Sequence, residues 1–263
     1  MTLYAFSLIG WVSVSHGFGA EAHRIVGNVA DRYTCTGTRK SLDELIPGEP
    51  LSEAGLWADR IRGDETWDRA RPWHYMNVPD DTAIADRTIS TDGDVLLAIE
   101  HFRTELANPE LSVEQHRIAL RFLVHFVADI HQPLHVGRKS DLGGNAIKIR
   151  AGREETNLHT YWDSYALEQV VESAPVYAAS LAGRGYPDPG AAEPATWATE
   201  SKAYRDEVYA YPRNEGSGAA EPDAAYQARA VEIIDLRLYQ AGVRLARLLN
   251  GIFCPEEGQD SPR

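Results

Sequence analysis

The chain has 263 residues, 43% of them hydrophobic and 25% charged, with a formal net charge of −13 at pH 7. That length and apolar share suit one globular domain with a sizeable core. The acidic balance argues against a broad basic face of the kind that grips duplex DNA, so attraction for an anionic substrate has to be local, as bound cations can supply.

Residues Leu3–Val14 form an apolar run too short to span a bilayer, with Ser15 and Gly17 at the −3 and −1 positions of a cleavage site before Phe18. This outline predicts a signal peptide over 1–17 and a secreted or periplasmic mature chain, although no Lys or Arg precedes the run. Spacing of Ile25, Val26, Val29 and Ala30 predicts a first helix at His23–Tyr33, and Glu53–Arg62 reads as another, stopped by Gly63. Residues 63–91 show no clear period and read as a long ordered loop carrying Trp73-His74-Tyr75.

Asp92 or Asp94 is placed to cap a helix running to about Leu106, and Ser112 with Gln115 makes a capping box opening a helix over roughly 112–133. Asp141–Asn145 is a turn signal, and Ala146–Arg150 alternates like a strand of a short β-hairpin. Thr156-Asn157 precedes a helix containing His159 and Asp163. Residues 173–195, rich in Ala, Gly and Pro, read as a surface insertion; helices return near 196–209 and 223–250, and 255–263 reads as a loose tail. The sum is all-α: a single compact multi-helix domain over 18–254 with one short β-hairpin.

Two cysteines, Cys35 and Cys254, are too few for a disulfide framework or a thiolate metal site. They suit either one disulfide tying the C-terminal helix to the first or two buried thiols, and export favours the disulfide. No Asn stands in an N-x-Ser/Thr sequence, so N-glycans are not expected.

The stretch with the most chemistry is 121–135, R-F-L-V-H-F-V-A-D-I-H-Q-P-L-H. His125 and Asp129 leave one face of the helix, surrounded by Leu120, Phe122, Leu123, Phe126, Val127 and Ile130, and so point into the interior or a cleft. His135 follows just past Pro133, where a helix ends. Imidazole and carboxylate at this spacing suit zinc; the same residues also suit a buried helix whose histidines bond to neighbours. His159 and Asp163 repeat the spacing, and His23, Asp59 and His74 are further groups of ligand type. His101 and His116 read as ordinary helix surface.

Separated blocks carry a family resemblance: F-G-A-E-A-H-R-I-V-G (18–27), L-W-A-D-R-I-R (56–62), W-H-Y-M-N (73–77), 121–135, G-G-N (143–145) and N-L-H-T-Y-W-D (157–163), in order, with a looser match at Y-Q-A-G-V-R-L-A (239–246). Together they resemble the three-zinc single-strand nucleases and 3′-nucleotidases of fungi, plants and bacteria, whose fold zinc phospholipase C shares. The resemblance implies three zinc ions. One would be held by Asp59, His74, His125 and Asp129; a second by the amine and carbonyl of Phe18, by His23 and by a bridging Asp129; a third by His135, His159 and Asp163. Phe18 stands where the family usually has Trp, and Asn77 where fungal members carry Asp, which bears on base preference because an amide both donates and accepts.

The implied chemistry is attack on phosphorus by water deprotonated between two zincs about 3.5–4 Å apart. The third zinc would stabilise the departing 3′-oxygen, and Arg62, otherwise a helix-surface residue, would neutralise phosphoryl charge. Tyr75 and Asn77 would stack on and hydrogen-bond an unpaired base, unless they serve loop packing, and Asn145 would approach the nucleotide from what is otherwise a turn. The substrate implied is single-stranded RNA or DNA, cleaved to 5′-nucleotides by a monomer that needs neither membrane nor protein partner. A zinc phospholipase C on the same cage and a non-catalytic zinc-binding helical module are the alternatives. The step from Phe18 to His23, Asp163 in place of Glu and the G-G-N block favour the nuclease over the lipase. A His-Asp phosphohydrolase is disfavoured because no His is directly followed by Asp.

Overall fold

Gly19 leads into α1 (Ala20–Tyr33), whose Ile25, Val26, Val29 and Ala30 are buried along the side their spacing predicts. The structure is a computed structural model that describes residues 18–190, 193–212 and 218–254. The expected leader at 1–17 and the tail at 255–263 lie outside the described residues.

Cys35 opens α2 (Thr36–Leu45), its sulfur accepting from the Thr38 amide. The single helix expected over Glu53–Arg62 is instead broken into α3 (Leu51–Ala54), α4 (Trp57–Arg60) and a 3-10 turn at Ile61–Gly63. The break at Gly55 frees its carbonyl for a side chain of another helix. Residues 63–91 are more regular than a loop. Glu65–His74 winds as a 3-10 helix, Met76–Asn77 forms strand β1, and Ile84–Asp86 makes a further turn. Such short turns need no apolar period, so composition conceals them.

Asp94, not Asp92, caps α5 (Val95–Ala107), accepting from the Leu97 amide at 3.0 Å. The Ser112–Gln115 capping box opens α6 (Val113–Asp129). This helix ends at Asp129, short of 133, and Pro133–His135 forms a separate 3-10 turn. Strand β2 (Val136–Gly137) pairs in parallel with β1, a second small sheet beside the expected hairpin of β3 (Lys148–Ala151) and β4 (Glu154–Asn157). Asn157 caps the helical run of α7 (Leu158–Thr160), a π-helical turn at Tyr161–Tyr165, and α8 (Ala166–Glu168).

Residues 173–195 are not a plain surface insertion, because they contain α9 (Ala174–Gly183), which buries Ala174, Ala178 and Leu181 and packs on α1. Small apolar residues let helices pack closely while resembling low-complexity sequence. Helices α10 (Pro194–Ala203) and α11 (Arg205–Val208) precede the 30-residue α12 (Ala224–Phe253). No helix among the described residues is long and apolar enough to cross a membrane.

The core gathers around α6, whose Phe122, Leu123, Phe126 and Val127 are wholly buried, each contributing roughly 1.5–3 kcal/mol by leaving water. Its neighbours are α5 on one side and α12 and α1 on another. Helices α1 and α12 approach closely at Gly242, where an added Cβ would stand 2.4 Å from Val29 Cβ. A Cys35–Cys254 disulfide joins the start of α2 to the end of α12. Beside it, Asn250 accepts from the Cys35 amide at 2.9 Å and donates to the Tyr33 carbonyl at 3.0 Å.

The end of α6 is held from behind. Ser201 donates to the Ile130 carbonyl at 2.6 Å, and Arg237 donates to the carbonyls of His131 and Trp197 at 3.1 and 2.9 Å. The bonds to Ile130 and His131 satisfy carbonyls that the end of α6 leaves unpaired. Glu200 accepts from Arg237 at 2.6 Å and from Arg244 at 2.6 and 2.7 Å. Burial works to raise the Glu200 pKa, and the hydrogen bonds from Arg244 and Arg237 outweigh it, leaving the carboxyl below its ordinary 4.5. The stabilisation is therefore complete above that value and is lost as acid protonates the group. Glu200→Gln is expected to lower unfolding free energy by about 2–3 kcal/mol at pH 7, because it leaves two buried arginines uncompensated. Urea titration of both proteins should show the gap narrowing below about pH 4.5; equal stabilities at pH 7 would contradict this role.

Candidate metal centre

His125 and Asp129 lie one turn apart on α6 and are wholly buried, with His125 Nε2 3.0 Å from Asp129 Oδ2. His74, at the end of the 3-10 helix, brings Nδ1 to 2.9 Å from His125 Nε2 and 3.1 Å from Asp129 Oδ2. Asp59, on α4, places Oδ1 3.8 Å from His125 Nε2. From α1, His23 stacks on the His125 ring at 4.0 Å between centroids and sets Nε2 3.5 Å from Asp129 Oδ1. A further group adjoins: His159 Nε2 lies 3.1 Å from Asp163 Oδ2, and His135 Nε2 3.6 Å from Asp163 Oδ1. Asp129 Oδ1 is also 3.6 Å from His135 Nδ1, so this one carboxylate touches both ends of the site. Donor atoms thus gather into His23/Asp59/His125, His74/His125/Asp129 and His135/His159/Asp163, lying within 4.8 Å of one another in each group.

The rings are aimed by the backbone. His125 Nδ1 donates to the Gly55 carbonyl at 2.6 Å, His135 Nδ1 to that of His74 at 2.7 Å, and His159 Nδ1 to that of Gly143 at 2.6 Å. A carbonyl only accepts, so each Nδ1 carries a hydrogen and Nε2 is the nitrogen turned inward. Inside, both ring nitrogens of His23, Asp129 Oδ1 and His135 Nε2 are buried without a hydrogen-bond partner. Orphaned buried polar atoms cost about 1–3 kcal/mol each, and here they converge from separate elements. A divalent cation satisfies them together, and the mixed imidazole and carboxylate set fits zinc.

Burial pushes His23 down to about 3 and His74 to about 4, with the neighbouring His125 adding to both effects. For His135 burial acts downward as well, but Asp129 and Asp163 prevail and raise it to about 9. Burial opposes ionisation of Asp129, yet the charges of His125 and His135 hold it well below the carboxylate range. His159 and His135 likewise bring Asp163 to about 2 against the effect of burial.

The other residues singled out from sequence surround this pocket. The side chain of Phe18 is wholly buried, and the next residue, Gly19, donates its amide to the Asp163 carbonyl at 2.9 Å. The approach is close, since a Cβ there would come 2.2 Å from Ser164 Oγ and 3.0 Å from the Asp163 carbonyl oxygen, so Ser164 would have to turn aside. Arg62 reaches back to Asp59 Oδ1 with Nε at 2.9 Å. Tyr75 and Asn77 share one face of an extended segment, opposite buried His74 and Met76, and Tyr75 is 43% exposed. Asn145 closes its own turn by donating to the Leu142 carbonyl at 2.9 Å. That turn runs through left-handed Leu142, Gly143 and Gly144, and a Cβ at Gly143 would meet the Leu134 carbonyl oxygen at 2.8 Å. Gly143 thereby presents its carbonyl to His159.

Sequence reading missed Gln132, which is buried, donates to Asp163 Oδ1 at 2.6 Å and accepts from the Leu134 amide. It ties the turn of His135 to the carboxylate of Asp163. Its position between the end of α6 and Pro133, where a capping side chain is needed, was the available signal. Arg205 was missed too; it donates to the carbonyls of Val78, Val136 and Gly137 and so supports the β1–β2 pair behind His74 and His135.

A mostly helical domain with three His/Asp groups able to hold metal ions is the class that fold and site define. The chain belongs to the S1/P1 nuclease family, whose family model matches residues 18–254. It is 32% identical to Endonuclease 2 of Arabidopsis thaliana over 271 residues, covering 90% of this chain and 91% of that protein. Endonuclease 4 of the same plant is 31% identical, covering 90% and 89%. Nuclease S1 of Aspergillus oryzae is 28% identical over 177 residues, covering 64% and 60%.

The buried histidines set a pH dependence for the metal-free protein. His23 and His74 titrate below their ordinary value when folded, so the unfolded chain binds more protons between about pH 6.5 and 3. The depressed Asp129 and Asp163 add the same slope at lower pH. Chelator-treated protein is expected to lose melting temperature steadily from pH 6.5 to 4, with His23→Leu flattening the slope. A flat profile in the unsubstituted protein would contradict this electrostatic account.

Proposed function

We propose that the chain is a zinc-dependent endonuclease that hydrolyses single-stranded RNA or DNA to 5′-nucleotides, with 3′-nucleotidase activity in the same pocket. The observation that carries this reading is the buried Asp129 carboxylate, with His125 and His74 at one oxygen and His23 and His135 at the other. Membership of a nuclease family supports the reaction class.

In this reading Asp59, His74, His125 and Asp129 would hold one zinc. Asp129, His23 and the freed amine and carbonyl of Phe18 would hold a second, and His135, His159 and Asp163 a third. When bound, zinc supplies a nucleophilic water at neutral pH and Lewis-acid stabilisation of phosphoryl and leaving oxygens. The protein does the rest. Gly55, His74 and Gly143 fix the tautomers of His125, His135 and His159, so the ligands need no reorientation. Arg62, paired with Asp59, would set its positive charge beside the phosphoryl oxygens. Tyr75 gives an open aromatic face for an unpaired base, with Asn77 beside it to read the base edge. An acidic protein can accept a polyanion this way because the bound Zn²⁺ ions outweigh the aspartates locally.

Removal of residues 1–17 creates the amine ligand, which ties folding of the site to export. The Cys35–Cys254 disulfide fits an oxidising destination, secreted or periplasmic. The enzyme acts as a monomer, with no membrane or protein partner required.

Asp129→Asn should lose metal and lower hydrolysis of single-stranded polynucleotide by about 10²–10³ or more. Retained activity would remove Asp129 from its bridging role. Lipid arms of the same assay should show no release of phosphocholine from phosphatidylcholine; lipid hydrolysis without nucleic-acid cleavage would overturn the nuclease reading. Tyr75→Ala should raise KM for single strands about tenfold with kcat less affected, reflecting one lost stacking contact. An unchanged KM would return Tyr75 to loop packing.

A further inference from the structure

In the His135/His159/Asp163 group, His159 and Asp163 share one helical run and His135 does not. Four residues separate the first two along α7 and the π-helical turn, so local geometry sets their spacing, with Nε2 and Oδ2 3.1 Å apart. His135 stands on the 3-10 turn after Gln132, and nothing local fixes its distance from Asp163. The residue that spans this gap is Gln132 itself, which is only 1% exposed.

Its backbone is pinned on both sides. The amide donates to the Asp129 carbonyl at 3.0 Å, and the carbonyl accepts from the His135 amide at 3.1 Å. The side chain then makes two bonds of opposite sense. Nε2 donates to Asp163 Oδ1 at 2.6 Å, and Oε1 accepts from the Leu134 amide inside the turn that carries His135. A backbone N–H only donates and a carboxylate only accepts, so the orientation of the side-chain amide is forced. Oδ1 is also the oxygen that faces His135 Nε2, at 3.6 Å. One amide therefore links the carboxylate of one element to the imidazole-bearing turn of another. Among the described residues, no hydrogen bond joins this side chain to a ligand of the other two groups.

We propose that Gln132 is a positioning residue for the third ion alone: its side-chain amide sets the separation of His135 and Asp163 before metal binds. This inference rests on the three-zinc reading and deepens it. The first and second ions draw on ligands that the Gln132 side chain does not hold, so their affinity does not depend on it.

Gln132→Asn separates this role from capping. Asparagine still accepts from the Leu134 amide, as a turn cap does, but is one methylene too short to reach Asp163. Zinc content of the whole exported protein is read by plasma mass spectrometry across zinc-buffered solutions. In Gln132→Asn one ion should leave at a free zinc concentration about 10–100-fold higher than in the unsubstituted protein, with the other two unmoved. Gln132→Met keeps the bulk and loses both bonds, and should give the same selective loss; thermal melting of the metal-free proteins verifies that the variants fold. His159→Ala removes a ligand of the same group, and in that background Gln132→Asn should leave the two remaining ions unchanged. A general packing defect would weaken every ion together. Three ions held as tightly in both Gln132 variants, or all three loosened alike, would overturn the proposal and leave the three-zinc reading standing. An unsubstituted protein that never holds a third ion would overturn both.

Discussion

A carboxylate buried at the end of a helix needs compensation, and Asp129 is the point from which the rest of this structure follows. Taking such a charge out of water costs several kcal/mol unless partners surround it. Four histidines do so, arriving from α1, the 3-10 helix before β1, α6 itself and the turn after Pro133. Each of those elements must therefore meet at one place, which explains why a mostly helical chain interrupts itself with 3-10 turns and two-residue strands around the site. The breaks at Gly55, at Pro133 and at Gly143-Gly144 either free carbonyls for ring nitrogens or release the chain from helical geometry. Local irregularity is how ligands from distant parts of the sequence converge.

Support behind the site is of a different kind. Helices α10 and α12 carry no ligand, yet Ser201 and Arg237 hold the carbonyls of Ile130 and His131, just past the end of α6. Arg237 and Arg244 are themselves buried charges that Glu200 must answer. A rigid α6 terminus keeps Asp129 within reach of both ends of the pocket, and this polar brace supplies that rigidity where an apolar contact could not satisfy the carbonyls.

How much of this was legible in the sequence differs by element. The capping box at Ser112 and Gln115, the apolar spacing through 118–130 and the turn-spaced His125 and Asp129 all act locally, so α6 and its inward face could be read directly. The ligand-type residues were legible through their blocks, and the structure draws His23, Asp59, His74, His125, Asp129, His135, His159 and Asp163 into one pocket. Other features depend on partners far away in the chain. The parallel pairing of Met76–Asn77 with Val136–Gly137 is a two-residue match that no period announces. Helix α9 reads in the sequence as an insertion because Ala and Gly signal loops as readily as close packing. The carbonyls of Gly55, His74 and Gly143 are invisible in sequence, since every residue carries one. Only the fold decides which faces a ring.

The central claim is that the pocket around Asp129 is a zinc cage completed by the amine of residue 18. It is tested most directly by zinc content, measured by plasma mass spectrometry on exported protein whose first residue has been identified as Phe18. The account predicts three zinc ions per chain, one for each ligand set argued above. A chain that starts at Phe18 and holds one zinc or none would contradict it.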